Sequence, residues 1–133
     1  MKKIVLSIFV VIAIFLLQSC EKTEGEGGTA SIIGKVFVKD YNSEFTTLKA
    51  EYYAPDEEVF IVYGNDVVYN DNFKTHYDGT YLFEYLRKGK YTIFVYSKDS
   101  SGVSPSGIIT VEKEVNITEE GQIVEIEDII ILK

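Results

Sequence analysis

The sequence predicts an all-β fold over residues 30–133, a single sandwich of seven or so short strands. Three observations carry that expectation. β-Branched and aromatic residues alternate with polar ones through most of the stretch, the pattern of strands with one buried face. Gly, Asn, Asp and Ser break the alternation at regular intervals, as turns between short strands require. No long segment of this stretch places apolar residues at helical spacing. The stretch is long enough to enclose one core of its own.

The first expected strand is Ser31–Lys39, with Ile32, Gly34, Val36 and Val38 on one face and Lys35, Phe37 and Lys39 on the other. Asp40–Glu57, interrupted by Pro55, reads as a connection of a length that often serves function. Glu58–Tyr63 is a continuous apolar run after its Glu and predicts a central strand. Gly64-Asn65-Asp66 turns the chain toward Val67-Val68-Tyr69, Asn70–Asn72 makes a second polar turn, and Asp78-Gly79 a third. Thr80–Leu86 and Lys90–Ser97 form the clearest pair, joined through Arg87-Lys88-Gly89. Within it Tyr91, Ile93 and Val95 alternate with Thr92, Phe94 and Tyr96. Both sets are apolar enough to predict cover on both sides.

Lys98–Gly107 is a Ser/Gly/Pro loop. Ile109, Val111, Val115 and Ile117 then mark one face of a strand whose other face carries Thr110, Glu112, Glu114 and Asn116. Glu119-Glu120-Gly121 turns into a last strand, Gln122–Leu132. There Val124, Ile126, Ile130 and Leu132 share a face that Asp128 interrupts, which predicts a bulge or strand end near Glu127-Asp128.

The first twenty residues are of another kind. Lys2 and Lys3 precede an apolar run from Ile4 to Leu17 that only Ser7 breaks, too short to span a bilayer comfortably. The form is that of a secretory signal. Leu17-Gln18-Ser19-Cys20 resembles the lipobox of bacterial lipoproteins. The resemblance implies cleavage before Cys20, a lipid on its thiol and no other cofactor. The alternative is that Cys20, the chain's only cysteine, is merely a small apolar residue closing the segment. The expected organisation is therefore a signal peptide over 1–19, a lipidated acidic and glycine-rich tether over 20–29, and the sandwich over 30–133. Acidic residues directly after Cys20 resemble the tag that some Gram-negative lineages use for surface lipoproteins, implying outer-membrane display, with a periplasm-facing domain as the alternative. Cleavage would remove two lysines and no acid, taking the formal charge from −8 to −10. Such a chain repels nucleic acid, which is not expected as a partner.

Residues 75–97 carry a further resemblance. Asp78-Gly79-Thr80-Tyr81-Leu82-Phe83, followed by Leu86, Gly89, Tyr91, Ile93 and Val95, is similar to the transthyretin-like sandwich modules, which include the carboxypeptidase regulatory-like domains. Gly34-Lys35-Val36 and Val59–Val62 supply the other elements of that pattern. The resemblance implies a Greek-key sandwich in which Gly89 supports a tight turn and the Tyr91 hydroxyl reaches a turn backbone.

Candidate chemistry is sparse. His76 is the only histidine, so ordinary zinc sites lack ligands and no metal or catalytic site is expected. Glu125 and Glu127 would share a strand face about 7 Å apart, a spacing near that of glycosidase pairs, but nothing in the sequence buries them. Asn65-Asp66 and Asn70-Asp71-Asn72 lack the spacing of a calcium loop. The chain carries ten Tyr and no Trp. Tyr offers broad amphipathic contact at modest entropy cost, which suits protein or glycan recognition. Tyr41, Tyr52 and Tyr53 in the 40–57 connection, with Tyr69 and Tyr77 near turns, are the candidate binding residues. The expected function is a non-enzymatic envelope lipoprotein, membrane-held, binding a protein or glycan. An adhesin or spacer pairing through strand edges and an acid-dependent hydrolase are the alternatives.

Overall fold

The computed structural model describes residues 2–16 and 23–133. Lys2–Leu16 form helix α1 inside the expected signal peptide. Among the described residues no helix is long and apolar enough to cross a membrane. Leu17–Cys20, and with them the expected lipidation site, lie outside the described residues.

The described residues form nine strands: β1 (Glu26–Tyr41), β2 (Leu48–Tyr53), β3 (Glu58–Tyr63), β4 (Asp71–Lys74), β5 (Thr80–Leu86), β6 (Gly89–Lys98), β7 (Ile108–Ile117), β8 (Ile123–Glu125) and β9 (Ile129–Leu132). They make two sheets, and the all-β sandwich expected from the alternation is what the chain adopts. In sheet one β1 is the spine. Its first half pairs with β5 (antiparallel) and β8 (parallel), its second half with β2 (antiparallel) and β9 (parallel). Sheet two runs β4-β3-β6-β7, antiparallel throughout.

The core lies between the sheets. Sheet one contributes Ile32, Val36 and Val38 of β1, Tyr81, Phe83 and Leu86 of β5, and Ile129 and Ile131 of β9. Sheet two contributes Val59 and Ile61 of β3, Tyr91, Ile93 and Val95 of β6, and Val115 and Ile117 of β7. Apart from Leu86, these are the period-two positions of their strands, so their burial follows from the pleat.

Four expectations are corrected. First, β1 begins at Glu26, so the last part of the expected 20–29 tether is strand. Glu26 and Ala30 both pair with Leu86, and residues 27–29 bulge between them. Gly28 passes so close to the Leu86 carbonyl that a side chain there would collide with backbone, and Gly27, beside the Arg87 guanidinium, holds φ at 110°, a conformation that strains other residues. Second, the 40–57 connection contains β2. Asn42 Oδ1 accepts the Thr46 and Thr47 amides at 2.9 and 3.0 Å, closing the turn that returns the chain along β1. All six β2 residues are exposed, which is why no alternation announces an edge strand. Third, Asp71 and Asn72 begin the short edge strand β4 rather than a turn.

Fourth, the last expected strand divides at the foreseen place but changes phase there. Ile33 pairs with Glu125 and Val36 with Ile129, so β8–β9 spends one residue more than β1. The extra residue swings Ile129 and Ile131 into the core and leaves Ile130 48 % exposed, not the reverse. A comparable bulge shapes β5. Tyr85 takes the left-handed conformation at φ 58°, and the odd-numbered inward series Tyr81, Phe83 continues at Leu86.

Candidate functional site

The turn between β5 and β6 fixes the lower end of the sandwich. Tyr91 is fully buried, donates from its hydroxyl to the Arg87 carbonyl at 2.7 Å, and accepts the Gly25 amide at 2.9 Å. The expected role of this tyrosine, ring in the core and hydroxyl on a turn backbone, is realised.

The five candidate tyrosines do not converge. Tyr41 ends β1 with its ring 6.2 Å from Phe45. Tyr52 and Tyr53 are neighbours on β2, so their side chains leave opposite faces of sheet one. Tyr53 is engaged internally: its ring meets Phe37 edge-on at 5.2 Å, Lys35 Nζ sits 4.8 Å above it, and its hydroxyl donates to Asp128 Oδ2 at 2.8 Å. That hydrogen bond, with the carboxylate's charge, raises the Tyr53 phenol above its ordinary value. Tyr77 projects from the β4–β5 turn. Tyr69 alone belongs to a larger assembly.

That assembly is on the outer face of sheet two. β6 presents Thr92, Phe94 and Tyr96 outward, and β3 sets Phe60 opposite Phe94. The Phe60 ring stacks on Phe94 at 5.0 Å and meets Tyr69 at 4.7 Å and Tyr96 at 5.5 Å. Phe60 is only 6 % exposed yet stands apart from the core cluster between the sheets. The expectation that both faces of β6 would be covered is therefore half met. Among the described residues no second layer of strands or helix lies over the outer face; the β3–β4 loop alone leans on it.

Asn70 holds that loop in place. Its amide donates to the Ile61 carbonyl at 2.8 Å, its Oδ1 accepts the Tyr63 amide at 2.8 Å, and its Nδ2 donates to Asp66 at 2.9 Å. The loop is thereby folded back so that Tyr69 lies over Phe60. Between the loop and β7 is a concavity of about 350 Å³, walled by Val62, Val67, Phe94, Tyr96, Thr110 and Glu112. Tyr96 also lines two adjoining hollows of about 420 and 310 Å³ toward Ile108 and Lys98. The concavity also carries polar groups, Thr110 lying 3.3 Å from Glu112; on β4, Asn72 pairs with Phe60 and donates to Glu58 at 3.1 Å. A smaller cleft of about 210 Å³ is lined by Gly27, Arg87 and Glu120, beside the β5–β6 turn.

Sequence reasoning misses the outer-face cluster of Phe60, Phe94 and Tyr96. Its signal is the doubly apolar β6, a pattern that a strand covered on both faces shares. Glu125, at the end of β8, and Glu127 are both exposed, and Glu127 lies 3.8 Å from Lys113. His76 packs its ring edge-on against Phe73 at 5.3 Å in an exposed turn. Among the described residues no three His, Cys, Asp or Glu side chains are grouped to hold a metal.

No protein-family model matches the chain, and no curated protein matches it. Among solved structures it is similar to a candidate carbohydrate binding protein from Pseudomonas aeruginosa, with a TM-score of 0.48 and 14 % identity over 84 % of this chain and 92 % of that one.

Proposed function

We propose that the mature chain is a non-enzymatic, lipid-anchored glycan-binding module of the cell envelope, and that the outer face of sheet two is its binding surface. The observation that carries this reading is Phe60, buried outside the inter-sheet core beneath Tyr69 and Tyr96, which themselves remain 48 % and 50 % exposed. A rigid aromatic floor with exposed rings suits the apolar C–H face of a pyranose, while the polar groups of Thr92, Thr110 and Glu112 suit its hydroxyls. The formal charge, −8 for the whole chain and −10 once the leader with Lys2 and Lys3 is removed, and the Glu112 carboxylate favour neutral or basic sugars over polyanionic ones. Support for the anchor comes from the three-part leader and the lipobox-like Leu17–Cys20; the acidic residues after Cys20 favour the outer membrane and the cell surface. Support for a transthyretin-like module comes from the roles of Tyr81, Phe83, Leu86 and Tyr91 in one core.

The test is binding of the full chain to arrayed neutral oligosaccharides. Tyr96→Ala weakens binding about tenfold or more at unchanged Tm, the cost of one well-packed aromatic contact. Tyr52→Ala with Tyr53→Ala leaves it intact. Binding lost in the second variant and kept in the first moves the site to β2. A second reading has its own observation: β2 is an open edge with six exposed residues, able to pair with another chain. A monomer at all concentrations, alone and in cell extract, counts against it.

A further inference from the structure

The segment just before β1 is pinned to the sandwich at every residue from Thr23 to Glu26. Arg87 Nη1 donates to the Thr23 carbonyl at 3.2 Å, and the Lys90 amide faces Glu24 Oε1 at 3.4 Å. The Arg87 amide donates to the Gly25 carbonyl at 2.9 Å, the Gly25 amide donates to Tyr91, and Glu26 pairs with Leu86. Gly25 is buried against the Tyr63 ring. The chain therefore joins the domain at Thr23, not at Ala30.

We infer that this docked segment holds the sandwich end-on to the bilayer, with the β5–β6 turn at Arg87 and Lys88 against the lipid headgroups. The inference rests on the lipid-anchor reading of Cys20 given above. A tether counted from composition, 20–29, would span about 30 Å and let the domain tumble. From Cys20 to Thr23 only three residue steps remain, at most about 11 Å of chain. That is about a third of the roughly 30 Å that the ten residues of β6 span, so the end bearing the pinned segment reaches the surface and the far end does not.

Strand directions say which parts lie low and which high. β1 leaves the tether at Glu26 and ends at Tyr41, beside the C-terminal Lys133. β6 leaves at Gly89, close to Glu24, and climbs about 30 Å over its ten residues to Lys98. The β6–β7 loop, the β1–β2 turn and the β4–β5 turn with Tyr77 are therefore distal. The row Thr92–Phe94–Tyr96 runs up from the membrane, and the aromatic face looks sideways along it.

Charge does not set this orientation. Arg87, Lys88 and Lys90 at the low end are matched by Glu24, Glu26, Glu114, Glu119 and Glu120, with Lys90 3.3 Å from Glu114. Tether length sets it, and the arrangement is correspondingly indifferent to salt.

The experiment uses the full lipidated protein in phospholipid vesicles carrying a headgroup quencher, with a fluorophore on Lys88→Cys or on Val103→Cys. Position 88 is strongly quenched and position 103 spared, at low and high salt alike. A ten-residue Gly/Ser insertion between Glu21 and Lys22 abolishes the difference. Equal quenching at the two positions without the insertion overturns the orientation, and so does a difference that vanishes in salt. Mass analysis of the N-terminal peptide separates this from failure of the anchor: an unacylated Cys20 removes the anchor reading and the orientation with it.

Discussion

The Tyr81 hydroxyl lies directly over Gly34, its partner across the β1–β5 ladder, in the space a Cβ at position 34 would fill. Tyr81 is fully buried, and among the described residues its hydroxyl has no hydrogen-bond partner. Burial holds its phenol far above the ordinary value, so it stays neutral. The ring thus covers a gap that the glycine leaves in the sheet, and the hydroxyl stabilises nothing. Gly34→Ala is expected to cost about 1–3 kcal/mol through overpacking. Tyr81→Phe should be neutral or stabilising, because it removes an unpaired buried oxygen. Thermal unfolding of both checks this, and the Gly34→Ala penalty should shrink in a Tyr81→Leu background.

Tyr91→Phe has the opposite sign. Its hydroxyl satisfies the buried Gly25 amide and the Arg87 carbonyl together, and no other group replaces it. The expected loss is about 1–3 kcal/mol, with fast hydrogen exchange at Gly25 while the centre of β6 stays protected. Unchanged exchange at Gly25 would mean that the β1–β5 ladder alone holds the segment.

The contrast between these tyrosines shows what could be read from the chain. Tyr91 followed from alternation and a turn glycine, because both are local signals. The two residues between Phe83 and Leu86 break the period, and only the left-handed Tyr85 shows that a bulge absorbs one of them. In the sequence Gly27 and Gly28 are only part of a glycine-rich tether; their use is close passage past Leu86 and Arg87, a tertiary fact with no local trace. β2 left no trace either, since an edge strand with six exposed residues buries nothing. The aromatic face of β6 was visible as residues but not as surface, because an apolar strand reads alike whether its second face is covered or open.

The aromatic floor predicts a split between stability and binding. Phe60→Ala removes the ring that Tyr69, Phe94 and Tyr96 share and should cost about 3 kcal/mol, the lower end of the range for a buried phenylalanine, since one side of the cluster is open. Asn70→Ala should cost less and free Tyr69, lowering glycan affinity with little change in Tm. Equal affinity in Asn70→Ala would remove Tyr69 from the site.

The distal β6–β7 loop is held by one carboxylate. Asp99 accepts the Ser101 hydroxyl at 2.5 Å, the Ser101 amide at 2.8 Å and the Ser104 amide at 2.7 Å. The Ser101 hydroxyl, then the Ser104 and Ser101 amides, lower its pKa below the ordinary 3.8. A depressed folded pKa gives stability that is complete above the ordinary value and lost as pH falls through the depressed one. Hydrogen exchange in residues 101–104 should be protected between pH 5 and 7 on the order expected of an ordered loop, and should quicken only below about pH 4. Asp99→Asn should remove that acid step. An acid step that persists in the variant places the sensitivity elsewhere.

Display at the surface is decided by protease and antibody access on intact cells, with lysed cells and a Cys20→Ala version as controls. The acidic stretch after Cys20 leads us to expect access before lysis. The docked segment adds a condition that a free leash would lack. Cleavage should begin at the distal β6–β7 loop around Val103, 82 % exposed, and spare the low Arg87-Lys88 turn, even though both are cut in the detergent-solubilised protein. Protection of both until lysis would place the domain in the periplasm, where its sideways aromatic face would meet envelope glycan rather than sugars outside the cell.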